Sequence, residues 1–209
     1  MTPAHLQPRA SDATPADDEA LGQALVAGDP AAARLVWDRF VPLVRRLLRR
    51  ALGQVHNVED LVQDVFWRLF RKAHLLREPK ALEAFIISIT VFAVRSELRR
   101  RRARSWLGLA GDATALDLRV VHPDPQGRQA LERFYELLER FNTRDRMAYV
   151  LYSLEGMSLR EVSAALGVSL PTTKRSLMHV RQRLLQFVRR DPLLADYVAA
   201  TPADEDGDD

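Results

Sequence analysis

The sequence predicts an all-α protein of two small helical domains joined by a flexible linker, the C-terminal one containing a helix-turn-helix. Three observations carry this. Apolar residues recur at three- and four-residue steps in most segments that read as ordered, as one buried helical face requires. Strand signals are nearly absent. Between residues 105 and 126 the periodicity fades, Gly108, Gly111, Pro123 and Pro125 appear, and the charge turns acidic at Asp112, Asp117 and Asp124, which reads as a linker. The expected organisation is a disordered acidic tail over 1–20, a helical domain over 21–104, the linker over 105–126, a helix-turn-helix domain over 127–190 and an acidic tail over 191–209.

A first helix is expected from about Asp18 to Ala27, stopped by Gly28. The second starts with Asp29 as N-cap and Pro30 at the first helical position, where the missing proline N–H is no loss. Its buried stripe is Leu35, Val36, Phe40, Leu43, Val44, Leu47 and Leu48. Arg45, Arg46, Arg49 and Arg50 gather near its end, where cations suit the helix dipole, and Gly53 closes it. Asn57 is expected to cap a third helix, from Val58 to Ala73. Pro79 opens a fourth that runs to about Arg102 and ends in Arg99, Arg100, Arg101 and Arg102. In it, Ile86, Ile87, Ile89, Thr90 and Val91 are β-branched and suit a buried strand equally well. Context favours helix, because a lone strand among helices leaves its backbone unpaired. The second domain reads as helices from Gly127 to Arg140, Thr143 to Leu154, Leu159 to Leu166 and Leu170 to Arg189.

Composition narrows the function. A chain of 209 residues, 47% hydrophobic and 28% charged, has room for two small domains, each with a modest core. It contains no cysteine, which excludes disulfide frameworks and thiolate metal sites and leaves a cytoplasmic address as the expectation. No basic start followed by an apolar core is present in residues 1–20, so no signal peptide is read there. The longest apolar run, Ala84 to Val94, is far shorter than the roughly 20 residues a membrane span needs, so no membrane insertion is expected. Net charge is only +3, but residues 1–20 hold one base and four acids and residues 191–209 hold seven acids and no base, which leaves +13 on residues 21–190. A charge of that size favours a polyanionic partner, since neutralising phosphates releases counterions. No His, Asp, Glu or Ser cluster has metal-ligand or nucleophile spacing, so no enzyme, cofactor or metal site is expected.

The stretch from Ser158 to Arg183 carries the sharpest signal. Ser158 and Glu161 form a capping box, and Leu159, Val162, Ala165 and Leu166 give a short helix its buried face. Gly167 turns the chain, Ser169 caps the next helix and Pro171 lies in its first turn. Thr173, Leu177, Val180 and Leu184 face inward, while Thr172, Arg175, Ser176, His179 and Arg183 face outward with groups that can reach base edges in a major groove. Lys174 and Arg181 flank them and suit phosphate. This conjunction of caps, glycine turn and polar N-terminal face is what a DNA-reading helix-turn-helix needs.

The segment from Tyr152 to Lys174 resembles the fourth conserved region of bacterial sigma factors, a pattern shared with response-regulator output domains. The segment from Asn57 to Arg71, NVEDLVQDVFWRLFR, resembles sigma region 2.2, which docks on the clamp coiled coil of RNA polymerase. The two resemblances together cover about Leu21 to Arg104 and Gln129 to Arg189 and point to the two-domain extracytoplasmic-function group. That resemblance implies core RNA polymerase, through its clamp region, and promoter DNA as partners, and it admits an anti-sigma factor. The helix from Asn57 places Val58, Leu61, Val62, Val65 and Leu69 inward and Asp60, Gln63, Asp64, Trp67, Arg68 and Arg71 outward, the latter being the implied polymerase-binding set. Trp67 reads equally as an interface anchor or as cover for the core edge.

By position in the family, the carriers of −10 recognition are His74, Arg77, Lys80, Phe92, Arg95, Ser96, Arg99 and Arg100, and those of −35 recognition are Thr172, Lys174, Arg175, Ser176, His179 and Arg183. Cations tracking a backbone and aromatics stacking on bases suit single strands. The chain departs from the family twice. Where members usually read Ala-Arg-Asn followed by Asp, it has Thr90-Val91-Phe92 and then Ser96, and Phe92 is expected to pack in the core rather than stack on a base. The common Lys-Ser-Arg order appears as Lys174-Arg175-Ser176, which moves the guanidinium by one position. The expected function is a dissociable initiation subunit that binds core polymerase and recognises the −10 and −35 elements. The alternative is a free-standing helix-turn-helix regulator. Asp204 to Asp209 read as a solubilising tail, with a fold-back onto the basic DNA face as the second reading.

Overall fold

The computed structural model describes residues 15–53, 57–107 and 125–191. Among them are eight α-helices: α1 Pro15–Val26, α2 Pro30–Leu52, α3 Val58–Lys72, α4 Leu82–Trp106, α5 Pro125–Glu139, α6 Thr143–Tyr149, α7 Leu159–Leu166 and α8 Leu170–Val188. Short 3-10 turns at Ala73–Leu75 and Pro79–Ala81 lead from α3 into α4, and a π turn, Val150–Leu154, continues α6. The expected readings of Gly108, Gly111, Asp112, Asp117, Pro123, Asp124 and Asp204 to Asp209 lie outside the described residues.

Local chemistry sets the helix ends. The Asp29 carboxylate accepts the Ala31 N–H at 2.8 Å ahead of Pro30, and Gly53 ends α2 at φ 74°, a conformation that disfavours a side chain. The helix continues through Pro42, whose ring removes the bond to the Asp38 carbonyl. Asp38 is exposed, so water can serve that carbonyl. Asn57 stands at the N-cap of α3, but its side chain makes no capping bond.

One expectation is corrected in this region and one open choice is settled. Leu35 is 57% exposed rather than part of the buried stripe. Adjacent positions lie about 100° apart on a helix, and Val36 takes the inward one. The β-branched stretch from Ile86 to Val91 is helical, which resolves the open choice there. Its inner residues are buried, and the Thr90 hydroxyl donates to the Ile86 carbonyl at 2.9 Å. α4 then runs on past Arg102 to Trp106.

In the first unit, α2, α3 and α4 pack around Phe40, Leu47, Phe66, Leu69, Leu82 and Ile86, with Trp37 and Phe66 ring centroids 4.5 Å apart. α1 lies across α2 and the Pro79–Ala81 turn, held by buried Leu25 and by Asp18 paired with Arg39 at 2.6 Å. In the second unit, Leu138, Phe141 and Val180 form one small core, and Ala130 and Leu137 meet Leu184, Phe187 and Val188 in another. The larger core does not stop at the first unit. Met147, Ala148, Val150, Leu151, Val162, Ala165 and Leu166 belong to the same contiguous cluster as α2, α3 and α4, so α6 and α7 are docked on the first unit.

Candidate nucleic-acid interface

The helix-turn-helix is built by its caps. The Ser158 hydroxyl accepts the Glu161 N–H at 3.3 Å, and the Glu161 carboxylate accepts the Ser158 N–H at 2.8 Å, the reciprocal box that starts α7. Gly167 turns the chain at φ 65°, and the Ser169 hydroxyl accepts the Thr172 N–H at 3.4 Å to start α8. Within the motif, Ser163 and Thr173 hydroxyls meet at 2.9 Å, both buried, and hold the two helices in register.

α8 presents Lys174, Arg175, His179 and Arg183 outward, with Thr172 half-buried in the first turn. Arg175 lies back along the helix, its guanidinium 3.4 Å from both the Pro171 carbonyl and the Thr172 hydroxyl. Ser176 departs from the expectation. It is 4% exposed and turned inward, where its hydroxyl bonds to Asp145. The physical reason is its spacing: it stands three residues from Thr173 and four from Val180, both buried, and so joins their stripe.

Asp145 was not among the expected residues. Its carboxylate is buried and accepts from Asn142 Nδ2 at 2.7 Å, while His179 Nδ1 lies 3.0 Å away and Arg144 at 3.5 Å. Burial pushes this carboxyl up, but the hydrogen bonds from Ser176, His179 and Asn142 and the charge of Arg144 together outweigh it and hold it below the usual carboxylate range. Neighbouring Arg146 is buried, and its Nε and Nη2 have no hydrogen-bond partner among the described residues. Burial lowers its pKa to about 10, with Glu139 opposing the shift.

The first unit carries the other expected sets. Asp60, Gln63, Trp67 and Arg71 are exposed on α3, with the Arg71 guanidinium 4.6 Å over the Trp67 ring. Asp64 and Arg68 are half-buried and paired with each other at 2.8 Å. Of the expected −10 set, His74, Arg77, Lys80, Arg99 and Arg100 are exposed and Ser96 is half-buried. Glu97, buried between Arg101 at 3.1 Å and Arg104 at 3.3 Å, organises the arginine-rich end of α4. Phe92 corrects its expectation: it is 49% exposed, not packed in the core. Arg68 stands over its ring at 5.1 Å and Lys72 at 5.9 Å, so the outward face of α3 and the α4 face meet at this aromatic.

Docking of the two units uses residues from both. The Glu155 carboxylate, after the π turn, receives Arg46 at 3.0 Å and Arg50 at 2.8 Å from α2, and Arg50 also donates to the Leu154 carbonyl. Arg95 of α4 donates to the Leu166 carbonyl at the end of α7, at 3.0 Å. The outward face of α8 is exposed, while Arg95, expected among the −10 residues, is engaged by the helix-turn-helix itself. Periodicity could not reveal Glu155, whose partners Arg46 and Arg50 lie in α2, or the reach of Asp145 across to His179 in α8. The one available signal was an acidic residue at the edge of an otherwise basic or apolar segment.

The matches to known proteins agree with this geometry. The family Sigma-70 region 2 matches residues 36–104, and Sigma-70, region 4 matches residues 131–184. The ECF RNA polymerase sigma factor SigE of Mycolicibacterium smegmatis is 31% identical over 192 residues, spanning 86% of this chain and 72% of that protein. Among solved structures, CnrH in complex with the cytosolic domain of CnrY is similar at TM-score 0.62 and 23% identity, over 83% of this chain and 98% of that one. The sigma factor RpoE in complex with the anti-sigma factor NepR from Bartonella quintana is similar at TM-score 0.59 and 24% identity, over 76% of this chain and 97% of that one. These two likenesses speak for the fold. With both conserved regions matched in order and a relative of this similarity along most of its length, the chain belongs to the extracytoplasmic-function sigma factors of RNA polymerase and serves promoter-specific transcription initiation rather than acting as a free-standing regulator.

Proposed function

We propose that the protein holds its promoter by two faces and its polymerase by a third. The −35 duplex meets α8 through Thr172, Lys174, Arg175, His179 and Arg183. The melted −10 strand meets His74, Arg77, Lys80, Arg95, Ser96, Arg99 and Arg100, and the polymerase clamp region meets Asp60, Gln63, Asp64, Trp67, Arg68 and Arg71. The observation that carries the reading is the doubly capped helix-turn-helix, whose α8 turns donors outward on one face while its apolar and hydroxyl residues lock the other. Catalysis stays with the polymerase, and the protein acts in the cytoplasm. Among the described residues no helix is long and apolar enough to cross a membrane. An anti-sigma factor is a further partner in this reading, supported by the two similar folds, one bound to an anti-sigma factor and one to the cytosolic domain of CnrY.

Run-off transcription tests it. Purified protein added to cognate core polymerase is expected to yield promoter-specific transcripts with no other initiation factor. Tight sequence-specific DNA binding by the protein alone, with no gain in transcription on adding it to core, would sink the reading. Arg175→Ala is expected to weaken discrimination at −35 by roughly 1–3 kcal/mol, as for a base-reading side chain. Equal weakening on every sequence would assign Arg175 to phosphate.

A further inference from the structure

Most of the exposed groups on α8 can only donate. Lys174, Arg175 and Arg183 have no acceptor at all, and the Thr172 hydroxyl is already shared with Ser169 at 2.9 Å and Arg175. His179, like Gln182 one turn further on, can also accept, and what it offers is decided from behind. Its Nδ1 lies 3.0 Å from the Asp145 carboxylate, which is 4% exposed and pinned from its own helix start by Asn142. The Phe141 ring meets the imidazole edge-on, centroids 6.0 Å apart at 85°, and restricts its rotation. His179 itself remains 53% exposed, so the other ring nitrogen is open to a ligand.

An ionised carboxylate accepts and never donates, so the ring nitrogen facing it must carry the hydrogen. In the neutral imidazole the outer nitrogen, Nε2, is then a bare acceptor. Major-groove edges offer donors only at the amines of adenine and cytosine, whereas guanine and thymine offer carbonyl oxygens at the equivalent places. We propose that Asp145 is a positioning residue for −35 recognition: by holding His179 Nδ1–H it makes Nε2 an acceptor that selects an amino base, adenine or cytosine, at one position of one strand. This rests on the reading that the exposed face of α8 meets the −35 duplex. The charged groups around the pair are Asp145 and Arg144 from α6 and Arg175 on α8, which line one cleft with Thr172, Ser176 and His179.

Two measurements test it, both on the full chain. The first is the imidazole tautomer, read from ¹⁵N shifts of the His179 ring at about pH 8, above the ordinary imidazole range. Wild type is expected to carry its hydrogen on Nδ1, and Asp145→Asn, which brings an amide donor to the same place, to shift it toward Nε2. The second is selection by reconstituted holoenzyme from promoters randomised through the −35 segment. Wild type is expected to prefer adenine and cytosine over guanine and thymine by about fivefold or more at one position, less than a bidentate contact achieves. Asp145→Asn should abolish or invert that preference, and His179→Ala, an exposed change that spares the fold, should abolish it while other positions keep theirs. A preference unchanged in both variants, or a ring hydrogen on Nε2 in wild type, overturns the inference and leaves the −35 reading standing. Selection of no −35 motif by wild-type holoenzyme overturns the reading itself, and the inference with it.

Discussion

The side chain of Glu155 is nearly buried, 7% exposed, against Arg46 of α2, with 3.0 Å between carboxylate and guanidinium. The two residues belong to different units, so this contact joins the half of the molecule built on α2, α3 and α4 to the half that carries the helix-turn-helix. Arg50 closes on the same carboxylate from the next turn of α2. Removing the acid leaves two partly buried guanidiniums without their partner, and losing one member of a buried pair costs more than the pair contributes. Glu155→Ala is expected to weaken the docking by about 3 kcal/mol. In solution this reads as a larger radius of gyration by small-angle X-ray scattering. An unchanged radius would mean that the apolar contacts of α6 and α7 hold the units without the ion pairs.

A closer packing constraint lies in α1. A Cβ built on Gly22 would stand 2.4 Å from the Pro79 carbonyl oxygen and 3.0 Å from its Cα, both backbone atoms that cannot rotate away. Alanine ordinarily stabilises a helix interior over glycine by roughly 0.5–1 kcal/mol. Here the forced separation of α1 from the turn that opens α4 should outweigh that gain, since overpacking costs typically about 1–3 kcal/mol. Gly22→Ala is expected to lower the unfolding free energy by about 1–2 kcal/mol net. Chemical denaturation measures it, and a stabilised variant would show that α1 moves off the turn freely.

The acid limb of stability should depend on Asp145. Its carboxyl is held below its usual range in the fold, so the fold favours the ionised form. Stability from such a group is present above the unfolded pKa, about 4, and is lost as pH falls through the lower folded value. Wild type is therefore expected to lose stability below about pH 4 in part through this site. Asp145→Asn should be less stable than wild type at neutral pH and approach it in acid. Denaturation curves at several pH values check this, and a constant difference between the two proteins at every pH would remove Asp145 from the acid response.

How much of this was legible follows from the range over which each signal acts. The capping box of Ser158 and Glu161, the Gly167 turn and the Asp29–Pro30 start are local, complete within four residues, and could be read directly. Ser176 misled because a cation and a hydroxyl read alike as polar, and only the position of Thr173 and Val180 shows which way a small hydroxyl turns. Phe92 misled for the opposite reason. The stretch from Ile86 to Val94 is apolar on nearly all sides, so its composition cannot say which side chain faces out. The docking residues Glu155 and Arg46 lie more than a hundred positions apart, and neither has a local consequence that betrays the other.

Phe92 provides the remaining test, because burial and exposure predict different magnitudes. A phenylalanine packed in the core typically costs about 3–5 kcal/mol when cut to alanine. At 49% exposure, with Arg68 and Lys72 over the ring, Phe92→Ala should lose only the shared cation–π and partial burial terms, about 1 kcal/mol. The variant should therefore fold with a near-normal denaturation midpoint. If the ring also meets an unstacked base in the opened promoter, open-complex formation should fall by a further 1–3 kcal/mol or so, the range of base–aromatic stacking. Permanganate reactivity of melted thymines in the reconstituted holoenzyme complex reads that loss directly. A stability loss above about 3 kcal/mol would return Phe92 to the core. Normal stability with normal promoter opening would leave the ring serving only to seat Arg68 and Lys72.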